Sequence, residues 1–125
     1  MRMVFMAYLT DSIEAVDFYC RAFNTAAKRC FKASDEDDFY AHAEIDISDN
    51  IILSISDVSH YEKEFPEGRN MEFWLTFDDE KALKDAYEVL QDGAKIHQAL
   101  APCEWSKLVA SVTDKYGVNW LLNVF

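Results

Sequence analysis

Glycine, proline and cysteine are scarce in this sequence, with three, two and three residues among 125. The chain has no glycine-rich phosphate loop, no GxSxG motif and no Cys–His pair at a recognisable spacing. Its cysteines, Cys20, Cys30 and Cys103, show no CxxC spacing, so we expect reduced thiols in a cytoplasmic protein. These absences leave no sequence signature of a nucleotide-binding protein, a serine hydrolase or a cysteine-based metal site.

Long hydrophobic runs and positive charge are also scarce. The apolar start Met3–Leu9 is too short to span a membrane and lacks the small-residue cleavage site of a signal peptide. Twelve basic against 23 acidic residues give a formal net charge of −11, which argues against binding to the nucleic-acid backbone. We therefore expect no membrane or nucleic-acid partner. The excess charge either attracts cationic small molecules or simply solvates the surface.

The composition fits one folded domain. Half of the residues are hydrophobic and 14% are aromatic, so a chain of this length can bury a core without disulfides or metals. The first half predicts a regular order of elements from its apolar periodicity. These are a strand Met3–Leu9, a helix capped by Asp11 or Ser12 and ending at Asn24, a strand Lys28–Phe31, an acidic solvated loop 34–38, and strands Phe39–Ile47 and Ile51–Ser56.

The same order recurs in the second half, after a polar stretch. A strand Glu72–Phe77 leads to a helix capped by Asp79 and stopped by Gly93. A strand Lys95–Leu100, a turn Ala101–Glu104 around Pro102 and a strand Ser106–Thr113 follow. We therefore expect one domain over residues 1–125, with one module at about 1–57, a linker at 58–69 and a second module at 70–125.

Direct superposition of the two halves supports this repeat. A shift of 67 residues places Ala15 on Ala82, Val16 on Leu83, Phe23 on Leu90 and Lys28 on Lys95. Each half then has a strand–helix–strand–strand–strand order, in which one helix covers only part of an apolar sheet face.

The last stretch predicts a hairpin. Asp114 and Gly117 occupy the first and last places of a four-residue turn, where each residue type is favoured. The run from Val112 to Val124, VTDKYGVNWLLNV, resembles the closing hairpin of PhnB-like proteins, a branch of the vicinal-oxygen-chelate superfamily. The resemblance also covers Tyr8–Leu9, Ala15–Phe23, His42–Ile45 and Trp105, and it departs in the acidic loop and in Ser106–Ser111, where many relatives carry glycines.

The resemblance implies an α+β fold in which two βαβββ modules form a curved mixed sheet around a cavity, the glyoxalase/bleomycin-resistance fold. It also implies a homodimer, with cavities formed within a chain or across a domain-swapped pair. Strand alternation directs one apolar set toward the helices and leaves a polar and aromatic set for the cavity. The same face would alternatively be partly solvated or form the dimer interface. The cavity set is Val4, Met6, Tyr8, Tyr40, His42, Glu44, Ser54, Glu72, Trp74, Thr76, Asn119, Leu121 and Asn123.

Metal chemistry can be tested on the sequence. In the superfamily, four His, Glu or Gln side chains hold a divalent metal, and their places fall near Val4, Ser54, Glu72 and Leu121. Only Glu72 is a competent ligand, and one carboxylate cannot hold zinc, nickel or iron. We therefore predict no metal or other cofactor, although a non-standard site built from His42, Glu44 and Glu72 remains an alternative.

The function suggested is the binding of a small organic molecule. A flat cationic ligand would stack on Tyr8, Trp74 and Trp105, with charge from Glu44 and Glu72. Tyr40 and Asn123 complete the expected binding residues. The alternative is a lyase or isomerase in which His42 is the general base; the simpler interpretation of His42 is a hydrogen-bonded pocket or surface histidine. A third alternative is an interaction domain with a vestigial pocket.

Overall fold

A computed structural model describes residues 3–62, 64, 68 and 71–125. The chain divides into two compact units, Met1–Pro66 and Glu67–Phe125, and each is described by itself. The predicted linker 58–69 includes residues 63, 65–67 and 69, which lie outside the described residues.

The first unit is a four-stranded sheet with one helix. The elements are β1 (Met3–Leu9), α1 (Ser12–Phe23), β2 (Ala27–Phe31), β3 (His42–Ser48), β4 (Ile51–Asp57) and a short 3₁₀ helix (Val58–His60). Strand β4 is parallel to β1 and antiparallel to β3, and the strand order is β1-β4-β3-β2. Helix α1 packs on β3 and β4, where its buried Phe18 and Tyr19 meet the apolar sheet face.

The second unit repeats this plan. The elements are β5 (Phe73–Thr76), α2 (Glu80–Leu90), β6 (Lys95–Cys103), β7 (Ser106–Thr113) and β8 (Asn119–Val124). The strand order is β5-β8-β7-β6, with β5 parallel to β8 and the other pairs antiparallel. Helix α2 packs on β7 and β8 through its buried Leu83, Ala86 and Leu90. The prediction of an α+β fold with two βαβββ modules is therefore confirmed.

The closing turn has the predicted geometry. The amide of Gly117 donates to the Asp114 carbonyl over 2.9 Å, and Gly117 has a φ of +88° that suits a residue without a side chain. One carboxylate oxygen of Asp114 accepts from the amides of Tyr116 and Val118, and the other accepts from the Trp120 indole N–H. The buried Asp114 thus joins the turn to the core.

Two strand predictions were wrong by three residues at one end, and three others by a single residue. Strand β3 begins at His42 rather than Phe39, because the Tyr40 amide bonds to the Ser12 hydroxyl and its carbonyl accepts from the Asp57 amide. Strand β6 continues to Cys103, so the turn is Glu104–Trp105 and not Ala101–Glu104. Pro102 therefore lies within a strand. This is tolerated because β6 is at the edge of its sheet, where a missing amide donor costs little.

The two helix starts differ from each other. Asp79 caps α2 as predicted, since its carboxylate accepts from the Ala82 amide over 2.8 Å. Asp11 occupies the cap position of α1 but makes no side-chain cap bond, and the Ser12 hydroxyl accepts from Tyr40 instead. The carboxylate of Asp57, 45 residues away, accepts from the Ser12 amide over 3.0 Å. The cap position predicted at Asp11 is therefore correct, but the expected side-chain cap bond is not formed.

Two helix ends complete the fold. Asn24 ends α1 in the left-handed conformation, as predicted. Helix α2 ends at Leu90, and Gly93 lies beyond it in the turn that leads to β6. No helix in the described part of the chain is long and apolar enough to cross a membrane.

Candidate functional site

His42 and Glu44 form a dyad on the sheet face of the first unit that points away from α1. They are two residues apart on β3 and so share a face, while Ala43 and Ile45 between and beyond them are buried toward the helix. The ring Nε2 of His42 lies 3.3 Å from Glu44 Oε1, and Arg29 Nε on β2 lies 3.8 Å from Glu44 Oε2. Glu44 is thus placed between a cation and an imidazole.

Tyr8 lies on β1 opposite Ser56 of β4. Its ring meets the Tyr61 ring edge-on, with 5.6 Å between the centroids, and the Tyr61 hydroxyl is hydrogen-bonded to Ser56 Oγ over 2.9 Å. Tyr61 was not predicted as a site residue, because it follows the 3₁₀ helix in the polar stretch and no strand periodicity assigns it to a face.

Tyr40 departs from the predicted arrangement. Because β3 begins at His42, the strand alternation that grouped Tyr40 with the dyad does not reach it. Burial raises the pKa of the Tyr40 hydroxyl, and a hydrogen bond to the Cys30 thiol raises it further. Cys30 pairs with Ala43 on β3, while its neighbour Phe31 pairs with His42, so Cys30 is on the helix-facing side of the sheet. The Tyr40 side chain is therefore directed away from the dyad.

In the second unit, an aromatic cluster covers one end of the sheet. Trp74 on β5 and Trp105 in the β6–β7 turn meet edge-on with 5.6 Å between ring centroids, and Phe125 lies 6.3 Å from Trp105. These side chains are 57%, 49% and 62% exposed. Aromatic side chains this exposed and this close together are typical of a binding surface. The sequence predicted Trp74 and Trp105 but not Phe125, which is beyond the last strand.

Asn123 holds this cluster in place. Its Oδ1 accepts from the Trp74 indole N–H over 2.8 Å and from the Thr76 hydroxyl over 2.7 Å. Its Nδ2 donates to Ser106 Oγ over 3.2 Å, and the residue is 0% exposed. Because the amide is buried and hydrogen-bonded, it fixes the orientation of the Trp74 ring. The structure therefore places Asn123 behind Trp74, where it positions the indole.

Glu72 is exposed and comes directly before β5. Its carboxylate Oε2 lies 3.4 Å from the Ser111 hydroxyl on β7. Glu72 and Trp74 are two residues apart in sequence, and their side-chain hydrogen bonds direct Glu72 toward Ser111 and Trp74 toward Asn123.

The positions at which the superfamily binds metal do not suit a metal here. Val4 and Leu121 have no donor atom, and Ser54 offers only a hydroxyl that is 1% exposed. Among residues 3–62, 64, 68 and 71–125, no three His, Cys, Asp or Glu side chains form a group that could hold a metal ion. The donor set therefore does not fit the superfamily's site, and we assign no reaction step to a metal.

Solved structures show which fold this is. The chain is similar to protein PA1353 from Pseudomonas aeruginosa, with a TM-score of 0.85 and 19% identity, covering 99% of this chain and 97% of that one. It is similar to the PhnB protein from Bacillus cereus, with a TM-score of 0.79, 20% identity and coverage of 100% and 98%. A glyoxalase/bleomycin resistance/dioxygenase superfamily member from Sphaerobacter thermophilus gives a TM-score of 0.63, 17% identity and coverage of 100% and 98%.

No protein-family model and no curated protein matches the sequence. At these identities the structural likeness defines the fold: the chain has the glyoxalase/bleomycin-resistance fold. The resemblance to PhnB-like proteins is supported at that level, since a PhnB protein is among the structures that share the fold over their whole length.

Proposed function

We propose that this protein binds a flat, cationic small organic molecule on the exposed aromatic cluster of its second unit. The observation that carries the proposal is the pair of half-exposed indoles, Trp74 and Trp105, held 5.6 Å apart with Trp74 fixed by the buried Asn123. A ring surface that is ordered before binding loses little entropy when a ligand stacks on it.

Charge favours a cation over a neutral ring. The Trp faces carry negative quadrupole potential, the carboxylate of Glu72 is nearby in sequence, and the whole chain has a net charge of −11. In the first unit, Tyr8 on β1 and Glu44 on β3 are separated by β4, and the Glu44 carboxylate already lies between Arg29 and the His42 ring. A stacked cation contributes on the order of 1–2 kcal/mol per ring, or about tenfold in affinity.

The test uses two tricyclic dyes of similar shape, cationic proflavine and neutral acridone. We expect proflavine to bind more tightly than acridone, with an affinity that falls as salt is added. Trp74→Ala and Trp105→Ala should each weaken proflavine binding about tenfold in fluorescence anisotropy. Ile13→Ala, an exposed apolar residue on α1, is the control and should bind like the wild type. Equal affinities in the two tryptophan variants and the control would overturn the proposal.

Enzymatic proton transfer is the second candidate function, and the His42–Glu44 dyad is the observation that favours it. With Nε2–H donated to Glu44, the neutral ring presents Nδ1 as a base that could take a proton from carbon next to a carbonyl. Such a step is the first half of an isomerase or lyase reaction.

Deuterium exchange separates this candidate from simple binding. In D₂O, an active protein would exchange the α-protons of hydroxyacetone, followed by NMR, and His42→Ala would abolish the exchange. His60→Ala, the other histidine of the first unit and an exposed one, is the matched control. If His42→Ala and His60→Ala both leave the rate unchanged, the base role is wrong, whatever the outcome of the dye experiment.

We also propose that the protein is a homodimer. Val4, Met6 and Tyr8 line one face of β1 and are 45%, 39% and 44% exposed, an apolar strip that a second copy would cover. Sedimentation equilibrium should give about twice the 14.5 kDa chain mass, and Met6→Glu should lower it. A monomer at every concentration would contradict this.

A further inference from the structure

A cleft of about 390 Å³ lies in the second unit at the end of the sheet away from Trp105. It is formed by the turn after α2, the start of β6 and the closing turn. Trp105 is in the β6–β7 turn at the other end of the nine-residue strand β6, so the cleft is separate from the aromatic cluster. The volume is in the range of small-molecule sites. Its lining includes Lys95, His97, Thr113, Lys115 and Asn119.

Side-chain hydrogen bonds fix the orientation of His97 in this cleft. Asn119 Nδ2 donates to the carbonyls of Met71 and Gly68, over 2.8 and 3.1 Å, so Asn119 Oδ1 can only accept. The Thr113 hydroxyl donates its single proton to that oxygen over 2.6 Å. Thr113 Oγ1 must therefore accept from His97 Nε2–H, 2.7 Å away. The neutral imidazole is held as the Nε2–H tautomer, and its Nδ1 carries the lone pair.

The charge lining the cleft is opposite in sign to that of the whole chain. Lys95 and Lys115 are the basic residues of the lining, and Asp114 is its acidic residue. The Lys115 ammonium lies 5.5 Å from the centre of the Tyr116 ring. Both Asp114 oxygens already accept hydrogen bonds from the hairpin and the Trp120 indole, and the residue is 4% exposed. The accessible charge is therefore positive in a chain of net charge −11.

Glycines shape the cleft wall. A Cβ built on Gly93 would lie 3.2 Å from Lys115 Cβ, and Gly93 has a φ of +73°, so any larger residue would be strained and would press on the lysine. At Gly117, which also lines the cleft, no atom lies within 4 Å of a Cβ position. The wall at this point is bare backbone, open to a ligand.

We propose that this cleft binds a small hydroxylated oxyanion, such as a hydroxy acid or a phosphorylated alcohol. Lys95 and Lys115 bind the carboxylate or phosphate group, and a hydroxyl of the ligand donates to His97 Nδ1. The assignment of Nδ1 as an acceptor is what selects a hydroxylated ligand over a simple anion. This site is independent of the aromatic cluster, so either can fail without the other.

The experiment is a ¹H–¹⁵N NMR titration of the full chain with acetate, glycolate and inorganic phosphate. We expect acetate to shift the amides of the cleft residues and glycolate, which adds only a hydroxyl, to bind about tenfold more tightly. The phosphate titration shows which oxyanion the site prefers. If phosphate saturates the shifts at a lower concentration than acetate, the site prefers phosphate; the reverse order indicates a carboxylate site. The ring nitrogens of His97 should show the shifts of the Nε2–H tautomer.

Variants separate the roles of the side chains. Lys95→Met and Lys115→Met should each weaken acetate about tenfold, whereas Lys84→Met on α2 removes the same charge and should change it less than twofold. His97→Phe should leave acetate binding but remove the preference for glycolate. Retained dispersion of the spectrum shows that each variant is folded. Equal binding in the three lysine variants would overturn the anion site, and equal binding of glycolate and acetate to the wild type would overturn the role of His97.

Discussion

The two units have the same order of elements but hold their helices in different ways. In the second unit, Asp79 caps α2 from the position next to it in sequence. In the first, the helix start is held by Asp57 at the end of β4, which also accepts from the Ser59 amide over 2.9 Å. Both arrangements give a helix amide its acceptor, so the requirement is the same and only its source differs.

The hairpins of the two units also differ, but here the buried aspartate is in the second unit. The closing hairpin of the second unit is built on the buried Asp114, which bonds two turn amides and the Trp120 indole. The corresponding β3–β4 turn, Asp49–Asn50, is exposed, and the register shifts between Asp46 and Ser48. Among the described residues, each unit thus has one buried aspartate, which secures the helix in the first unit and the hairpin in the second.

The largest expected effect is at Asp114. Asp114→Ala leaves two amides and a buried indole N–H without an acceptor, so we expect a loss of roughly 3 kcal/mol in unfolding free energy. The chain's three tryptophans, Trp74, Trp105 and Trp120, are all in the second unit, so urea unfolding followed by tryptophan fluorescence reports on that unit. Glu104→Ala, in the exposed β6–β7 turn, is the control. A loss no larger than that of the control would show that the turn does not depend on Asp114.

The next effect is at Asp57. Asp57→Ala removes the acceptor of two amides at the start of α1 and of the 3₁₀ helix, and we expect a loss of about 2 kcal/mol. Hydrogen exchange should accelerate first in the amides of α1, while those of α2 keep their protection. If both helices lose protection equally, the two units do not open separately and the contrast between them is weaker than we infer.

Acid should weaken the same contact. Burial opposes the charged form of Asp57, but hydrogen bonds from Ser59 and Ser12 outweigh it and lower its pKa. Its contribution is therefore complete above the unfolded pKa of about 3.9 and is lost as the pH falls through the lower folded value. The stability difference between wild type and Asp57→Asn should be constant from pH 7 to 5 and shrink below pH 4. A difference that grows in acid would contradict the assignment.

A smaller effect is expected at Asp79. Asp79→Ala removes one exposed cap bond, for a loss of about 1 kcal/mol, and Asp79→Asn should restore most of it because Asn caps equally well. Thermal unfolding of the two variants checks this. Loss of equal size in both would indicate a role for the Asp79 charge beyond capping.

The smallest effect is expected at Asp11. Its side chain makes no cap bond, and Asn tolerates the φ of +55°, so Asp11→Asn should change stability by less than about 0.5 kcal/mol. A loss approaching that of Asp57→Ala would mean that Asp11 caps α1 in solution, and the contrast between the helix starts would disappear.

Much of the fold could be predicted because its signals are local. The alternation of apolar residues fixed the faces of β3 and β4, the shift of 67 residues related Phe23 to Leu90 at the two helix ends, and Asp114 with Gly117 specified the closing turn. For the site, His42 and Glu44 could be grouped because residues two apart on a strand share a face. Trp74 and Trp105 are far apart in sequence, and the resemblance was needed to assign both to one binding surface.

Features that depend on distant contacts could not be predicted. Nothing near Ser12 in sequence indicates that Asp57 bonds its amide, and nothing near Tyr40 indicates that Ser12 draws its backbone out of β3. The hydrogen-bond chain from His97 through Thr113 to Asn119 connects β6, the end of β7 and the start of β8. From the sequence alone, His97 is interpreted as a surface residue on an edge strand.

The sequence by itself determined the two modules, their element types and the faces of alternating residues such as His42 to Ile45, because helix and strand periods and turn chemistry act over a few residues. Only the tertiary structure decided which carboxylate holds each helix, which ring nitrogen of His97 carries the proton, and that Asn123 positions Trp74 from below. These are pairings between groups brought together from far along the chain, and a buried polar group takes whichever partner the packed fold puts within reach.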